Sequence, residues 1–273
     1  MVFVPEVLTK YDYYIKWRIS YSCNYHCEYC LQSRNSCQER RKEHPYDIMG
    51  TANKIAEMIR PNTLVELVGG EISIIKEVPE IVSLFKSKGA DVKCLTNLSN
   101  DLTFYKDFTE IRASFHPSQC DMEEFKNKLL NLKSNGVIVG SEVVLSPVSS
   151  EENNKKKMDF AKWCEDNDIE ITIDTDRFDE KAMSLRPNPI KRHYYYYVDG
   201  VKTKKESLLD EKGMFESYGC NCYIGVNSTL VIFDKISICN GNEHTEFKWY
   251  DKPQKCKYGH CGNMTCMAIK IEK

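Results

Sequence analysis

Residues 17–30 read WRISYSCNYHCEYC, and this stretch decides the fold. Its first part, 17–20, is a short β-rich run. Its second places Cys23, Cys27 and Cys30 in CxxxCxxC spacing on the loop that follows directly. One short loop thereby supplies three thiolates. A cubane iron–sulfur cluster normally takes four cysteines, so three leave one iron open to another ligand. In parallel α/β folds, ligand sites sit at the C-terminal ends of strands, and that is where the trio falls.

Downstream, β-rich runs at 63–68, 92–95, 111–115, 137–145 and 169–173 alternate with helical signals. Ile48, Ile55, Met58 and Ile59 share one helical face, and that helix must stop before Pro61. A second helix runs over 79–88 with Gly89 to cap it. Asp121 with Glu124 reads as a capping box before Phe125, Leu129 and Leu132, ended by Asn135-Gly136; Ser149 with Glu152 repeats the device before Met158, Ala161, Trp163 and Cys164. Six βα units in succession imply right-handed crossovers and a parallel sheet. A full eight-unit barrel takes about 250 residues, so the expected fold is α/β, a partial (β/α)6 TIM-like barrel with a small C-terminal cysteine-rich iron–sulfur extension. The expected division is an N-terminal segment 1–15, the barrel 16–176, a linker 177–217 and the extension 218–273.

Composition narrows the function. Lys plus Arg (38) nearly balance Asp plus Glu (40), for a net charge of −2, which argues against general attraction to nucleic acid or an anionic membrane. Lys191-Arg192-His193 and Tyr194 to Tyr197 offer basic and aromatic groups to a nucleic acid, but read more simply as an edge strand with half its rings packed. There is no signal-peptide pattern, and no apolar run approaches the ~18 residues of a spanning helix. A cytoplasmic location is expected. In a reducing compartment, 13 cysteines gathered toward two ends of the chain point to metal or cluster ligation and not to disulfides.

The run LVELVGGEIS carries Gly69, Gly70 and Glu71 at the end of the second strand. CxxxCxxC after the first strand together with Gly-Gly-Glu after the second resembles the radical S-adenosylmethionine (SAM) superfamily. The resemblance implies a [4Fe–4S] cluster on Cys23, Cys27 and Cys30, whose open iron accepts the amino nitrogen and carboxylate of SAM. The double glycine lets backbone approach the ligand, and Glu71 with nearby carbonyls accepts hydrogen bonds from its ammonium group. Tyr29 matches the family's aromatic position near adenine. Asn97 closes the third strand in Thr96-Asn97, with Leu98 where relatives carry glycine. Ser114 matches a serine facing the SAM–substrate cavity, Glu142 stands one residue off a related motif, and Asp174 follows the sixth strand. His116 is a candidate proton carrier or substrate ligand, against a plain loop histidine. Cys120 is a second catalytic candidate; Cys37, Cys94 and Cys164 fit no ligand spacing.

Toward the C-terminus, Cys222, a hairpin-like run over 229–233 and 236–238, and Cys239 resemble the SPASM and twitch extensions of the same superfamily. The resemblance implies an auxiliary [4Fe–4S] cluster on Cys222, Cys239, Cys256, Cys261 and Cys266, with the part of Cys220 open and a Cys₄ zinc site as the alternative. The implied function is reductive cleavage of SAM to a 5′-deoxyadenosyl radical that abstracts hydrogen from a substrate carbon. The favoured substrate is a peptide or protein side chain, undergoing oxidation, cross-linking or epimerisation. A small molecule or nucleotide is the alternative, and a zinc-binding interaction protein the non-enzymatic one. Such an enzyme takes electrons from a flavodoxin- or ferredoxin-type donor.

Overall fold

A computed structural model describes residues 1–30, 45–175, 195–204, 215–239, 242–244, 246–256, 260–261 and 270–272. The first part of the chain runs β1 (Val2–Pro5), α1 (Val7–Lys10), β2 (Tyr13–Ser20), α2 (Ile48–Met58), β3 (Thr63–Gly69), α3 (Val78–Ser87), β4 (Asp91–Thr96), α4 (Leu102–Tyr105), β5 (Glu110–Ser114), α5 (Met122–Ser134), β6 (Ile138–Leu145), α6 (Glu151–Asp166) and β7 (Glu170–Thr175). The six expected strands form as β2 to β7, each parallel to the next and adjacent in chain order. β2 starts at Tyr13, because Tyr13, Tyr14, Ile15 and Lys16 already pair with Thr63, Leu64, Val65 and Glu66.

The helices obey their end signals. Asp47 caps α2, accepting from the Gly50 N–H at 2.8 Å, and Asp121 caps α5, accepting from the Glu124 N–H at 2.9 Å. Gly89 and Gly136 adopt positive φ after α3 and α5, the left-handed conformation that glycine reaches without Cβ strain. One cap differs from expectation. Ser150, not Ser149, caps α6, accepting from the Asn153 N–H at 3.1 Å. The helix then turns Lys157, Phe160, Ala161 and Cys164 inward and leaves Met158 exposed. A lysine therefore occupies a core position that hydropathy assigns to an apolar residue.

The two faces of the parallel sheet differ in kind. On the helix side, Ile15, Trp17, Ile19, Val65, Leu67, Val92, Ile111, Ala113, Val143, Ile171 and Ile173 are buried in one core. The opposite face carries a charge ladder across the strands. Lys16 pairs with Glu66 at 3.1 Å, Lys93 bridges Glu66 at 4.0 Å and Glu110 at 2.5 Å, and Arg112 reaches Glu170 at 2.8 Å. Arg112 crosses β6 at Gly140, the residue paired with both Arg112 and Glu170; a Cβ there would stand 3.3 Å from the guanidinium. Burial opposes ionisation of Glu66, but Lys16 and Lys93 outweigh it, and with the Tyr14 hydroxyl donating to the carboxylate they hold its pKa at about 2.

The remaining strands are β8 (Tyr195–Val198), β9 (Val201–Lys204), β10 (Phe215–Glu216), β11 (Asn221–Cys222), β12 (Ser228–Ile232), β13 (Lys235–Cys239), β14 (Asn242–His244), β15 (Gln254–Lys255), β16 (His260–Cys261) and β17 (Ile271–Glu272). The expected hairpin is β12–β13, and it joins the main sheet: β12 lies parallel to β2, giving the order β14-β13-β12-β2-β3-β4-β5-β6-β7. A second sheet has the order β15-β11-β17-β1-β8-β9, so the N-terminal segment pairs with Ile271 and Glu272. Expected as a cluster-bound appendage, the C-terminal part shares the core through Ile224, Val231, Ile236, Trp249 and Ile271. Side-chain bonds tie it down: Trp17 donates to the Phe233 carbonyl at 2.8 Å and Trp249 to the Met58 carbonyl at 2.7 Å. The tyrosine run, expected as an edge strand, is flanked by β1 and β9 as β8; Lys191, Arg192, His193 and Tyr194 lie outside the described residues.

Candidate functional site

The cysteine loop leaves β2 and folds against the turn that ends β3. The Gly70 N–H donates to the Ser20 carbonyl and the Glu71 N–H to the Ser22 carbonyl, both at 2.9 Å. A Cβ on Gly70 would lie 2.0 Å from the Ser22 oxygen, and one on Gly69 would lie 2.6 Å from the Ser20 oxygen. The double glycine thus admits protein backbone: it lets the turn press against the residues that lead into Cys23. Sequence reasoning assigned that close approach to a ligand alone.

Glu71 is 1% exposed, and its carboxylate is fully engaged. It accepts from the Ser73 N–H at 2.9 Å, the Thr96 hydroxyl at 2.7 Å and the Asn97 N–H at 2.5 Å. Burial still pushes its pKa upward, against these donors. The side chain therefore ties the β3 turn to the end of β4. Asn97 continues the tie, donating to Asn24 Oδ1 at 2.9 Å with its amide 4.0 Å from Cys23 Sγ. Leu98 follows with φ +57°, the left-handed conformation that suits the glycine of the related pattern.

The other wall comes from the turn after β5. His116 Nδ1 lies 2.6 Å from the Tyr29 hydroxyl and 3.3 Å from Cys27 Sγ. Its ring stacks on Tyr29 at 5.9 Å and meets Tyr25 edge-on at 5.8 Å. Burial, then the charge of Lys157, lowers the His116 pKa to about 4, so the imidazole is neutral near pH 7. Cys120 donates to the His116 carbonyl at 3.4 Å and faces the Tyr25 hydroxyl. Burial and then the neighbouring Cys30 and Cys23 raise Cys27 to about 12; burial likewise raises Cys23 and Cys120. Holding such thiols as thiolates calls for metal charge beside them.

Ser114 donates to Glu142 at 2.5 Å, and the two are paired residues of β5 and β6. Glu142 acts electrostatically on Tyr29, so this pair belongs to the same neighbourhood. Asp174 pairs with Val144 and accepts from the Thr175 N–H at 2.7 Å. Cys94 and Cys164 are buried core residues, as expected, and Cys37 lies outside the described residues. Sequence reasoning missed Lys157, whose Nζ lies 4.3 Å from the Tyr29 ring centroid. The available signal was its register on the inward face of α6.

Among the described residues, no three His, Cys, Asp or Glu side chains gather as ligands of a single metal ion. A cubane binds each thiolate at a separate iron corner, so its ligands stand further apart than those of a mononuclear site. Three thiols on one loop fit that larger group, and burial, then the neighbouring groups, raises Cys23 and Cys27 among them.

The C-terminal cysteines divide between sheets. Cys222 lies on β11 and Cys239 ends β13, in the other sheet. Cys256 donates its N–H to the Cys220 carbonyl at 2.8 Å and contacts Ser217 Oγ through Sγ at 3.3 Å. Cys261 pairs through backbone with Phe215, and Cys266 lies outside the described residues. The segment 215–222 therefore meets Cys256 by a backbone bond at Cys220 and Cys261 by strand pairing at Phe215.

No protein-family model and no curated protein sequence matches the chain. Solved structures do match. Streptococcus suis SuiB bound to S-adenosylmethionine has a TM-score of 0.54 at 11% identity, covering 87% of this chain and 64% of SuiB. SuiB bound to its precursor peptide SuiA gives 0.50 at 10% identity, covering 87% and 63%. Native anSMEcpe with bound AdoMet and Cp18Cys peptide gives 0.44 at 12% identity, covering 59% of this chain and 50% of that one. The chain thus spans between half and two-thirds of the length of these neighbours. The SuiB likeness shows a shared fold.

Proposed function

On the scaffold of that fold, we propose that the chain is a radical SAM enzyme whose parallel sheet forms a partial (β/α)6 barrel. Cys23, Cys27 and Cys30 hold a [4Fe–4S] cluster at the C-terminal ends of the strands, and SAM occupies the open iron. One observation carries the reading: the three-cysteine loop and the Gly69-Gly70-Glu71 turn are locked backbone to backbone at the ends of adjacent parallel strands. When bound, the cluster and SAM supply a 5′-deoxyadenosyl radical that takes hydrogen from a substrate carbon.

The chain's own residues bind, orient and exclude water. Carbonyls of the Gly69-Gly70 turn accept from the ammonium of SAM, while Glu71 fixes that turn to Asn97. Tyr29 packs beside the adenosyl group, and Ser114 with Glu142 presents oxygens toward the substrate side. Neutral His116 keeps the Tyr29 hydroxyl and Cys27 in place. Cys222, Cys239, Cys256, Cys261 and Cys266 are proposed ligands of an auxiliary [4Fe–4S] cluster, and the backbone bond from Cys256 supports adding Cys220. A peptide substrate is favoured because the solved neighbour SuiB is bound to a precursor peptide; the electron donor is of the flavodoxin or ferredoxin type.

Anaerobic incubation of the iron-loaded protein with SAM and a reductant tests the reading. The wild type is expected to release 5′-deoxyadenosine, and replacing Cys23, Cys27 and Cys30 together by Ala abolishes it. Release that persists in the triple variant overturns the assignment. Deuterated candidate peptides then identify the substrate by transfer of label into 5′-deoxyadenosine.

A further inference from the structure

Lys157 is 0% exposed on the inward face of α6, beside the cysteine loop. Its ammonium donates to Ser149 Oγ at 3.1 Å and lies 3.4 Å from Asn154 Oδ1, both neutral groups. The face of Tyr29 supplies its third neighbour at 4.3 Å. Among the described residues no carboxylate pairs with it; exposed Glu28 acts on it only from beyond ion-pair distance. A buried cation is costly without an anion to answer it. Ring quadrupole and hydroxyl dipoles lessen that cost, but they do not supply the missing charge.

The ring that the ammonium faces leads on to the cysteines: the Tyr29 hydroxyl lies 2.6 Å from His116 Nδ1, which lies 3.3 Å from Cys27 Sγ. Cys27 and Tyr29 belong to the very loop that carries the proposed cluster. A [4Fe–4S] core bound by three thiolates is anionic, and becomes more so when it accepts one electron. We propose that Lys157 is the built-in counter-charge of that cluster, a positioning residue that favours its reduced state and braces Tyr29 from behind. This inference rests on the cluster assignment to Cys23, Cys27 and Cys30. It explains why α6 buries a lysine where Met158, its exposed neighbour, offers an apolar side chain one position away. Interactions between charges are strong in such dry surroundings, and net charge near a cluster is among the terms that set its potential.

The test uses anaerobically reconstituted full-length protein with K157M, which keeps length and loses charge, and K157R, which keeps charge. Dithionite titration followed by electron paramagnetic resonance reads the midpoint potential of the signal that the triple Cys→Ala variant loses. The K157M potential is expected to shift negative at unchanged iron content, with K157R close to wild type. A K157M potential equal to wild type overturns the proposal. If K157M takes up no iron, uptake restored by K157R supports the proposal, and an iron-free K157R overturns it. A signal that survives the triple replacement overturns the cluster assignment itself, and the inference with it. A signal lost there but unmoved by K157M overturns the inference alone.

Discussion

The helix-covered face of the parallel sheet is mainly apolar, whereas its opposite face is laced by alternating charge from Lys16 through Glu66, Lys93 and Glu110 to Arg112 and Glu170. Successive residues of each strand serve one face and then the other, so the same six strands build both. The apolar face gains its stability from water exclusion, which is insensitive to pH and to the identity of a single partner. The charged face is stable only while each member keeps its neighbours. The cysteine loop grows from the rim where the faces meet, and it inherits both properties: buried glycine contacts on one side, titratable groups on the other.

Deleting a large side chain from the apolar face is expected to have the greatest effect on stability. Trp17 is fully buried, lies 6.3 Å from the Phe85 ring and donates to the Phe233 carbonyl, joining β2 to the β12–β13 hairpin. Trp17→Ala should cost about 3–5 kcal/mol in equilibrium urea unfolding. A loss below about 1 kcal/mol would mean that the two parts of the core are not one unit, which would break the comparison at its base.

The charged face should respond less and, unlike the apolar one, with pH. Glu66→Gln keeps shape but leaves Lys16 without its carboxylate and Lys93 with Glu110 alone, at an expected cost of about 3 kcal/mol at neutral pH. The folded pKa of Glu66 is depressed from 4.5 to about 2. Its stabilisation is therefore complete above pH 4.5 and is lost as pH falls through about 2. That shift corresponds to roughly 3 kcal/mol. Unfolding measured from pH 7 to pH 2 should show wild type and Glu66→Gln converging in acid. Parallel curves would remove the ladder from the stability of this face.

What the sequence made legible follows the same division. The apolar strands, their helices and the two motifs at adjacent strand ends were readable because period-2 and period-3.6 patterns and turn residues are local. The ladder was not, because Lys16, Glu66 and Lys93 each look like solvent-facing polar positions until strand register sets them side by side. Lys157 was passed over for the same reason, since a lysine is by default an exposed residue. The parallel pairing of β12 with β2 joins residues from opposite ends of the chain, and no local pattern announces it. Ser149 shows the cost of one residue: read as the cap of α6, it instead accepts a hydrogen bond from Lys157 while Ser150 caps the helix.

The smallest expected effect lies at the rim, where Leu98 belongs to both sides of the comparison. Its side chain is buried in the apolar core, its N–H donates to Thr96 Oγ1 beside Glu71 at 3.0 Å, and its backbone is left-handed at φ +57°. Leu98→Ala removes the packed side chain and keeps the strain, so it should cost at least about 2 kcal/mol. Leu98→Gly loses the same packing but relieves about 1–2 kcal/mol of left-handed strain, offset in part by roughly 0.5–1 kcal/mol of added chain entropy in the unfolded state. Glycine should therefore be the more stable of the two by up to about 1.5 kcal/mol, reversing the usual order of alanine over glycine. Thermal unfolding of the pair decides it, since both variants lose the same core contact. Alanine above glycine would mean that the rim adjusts its backbone freely, and that the turn holding Asn97 against the cysteine loop is set by packing and not by conformation.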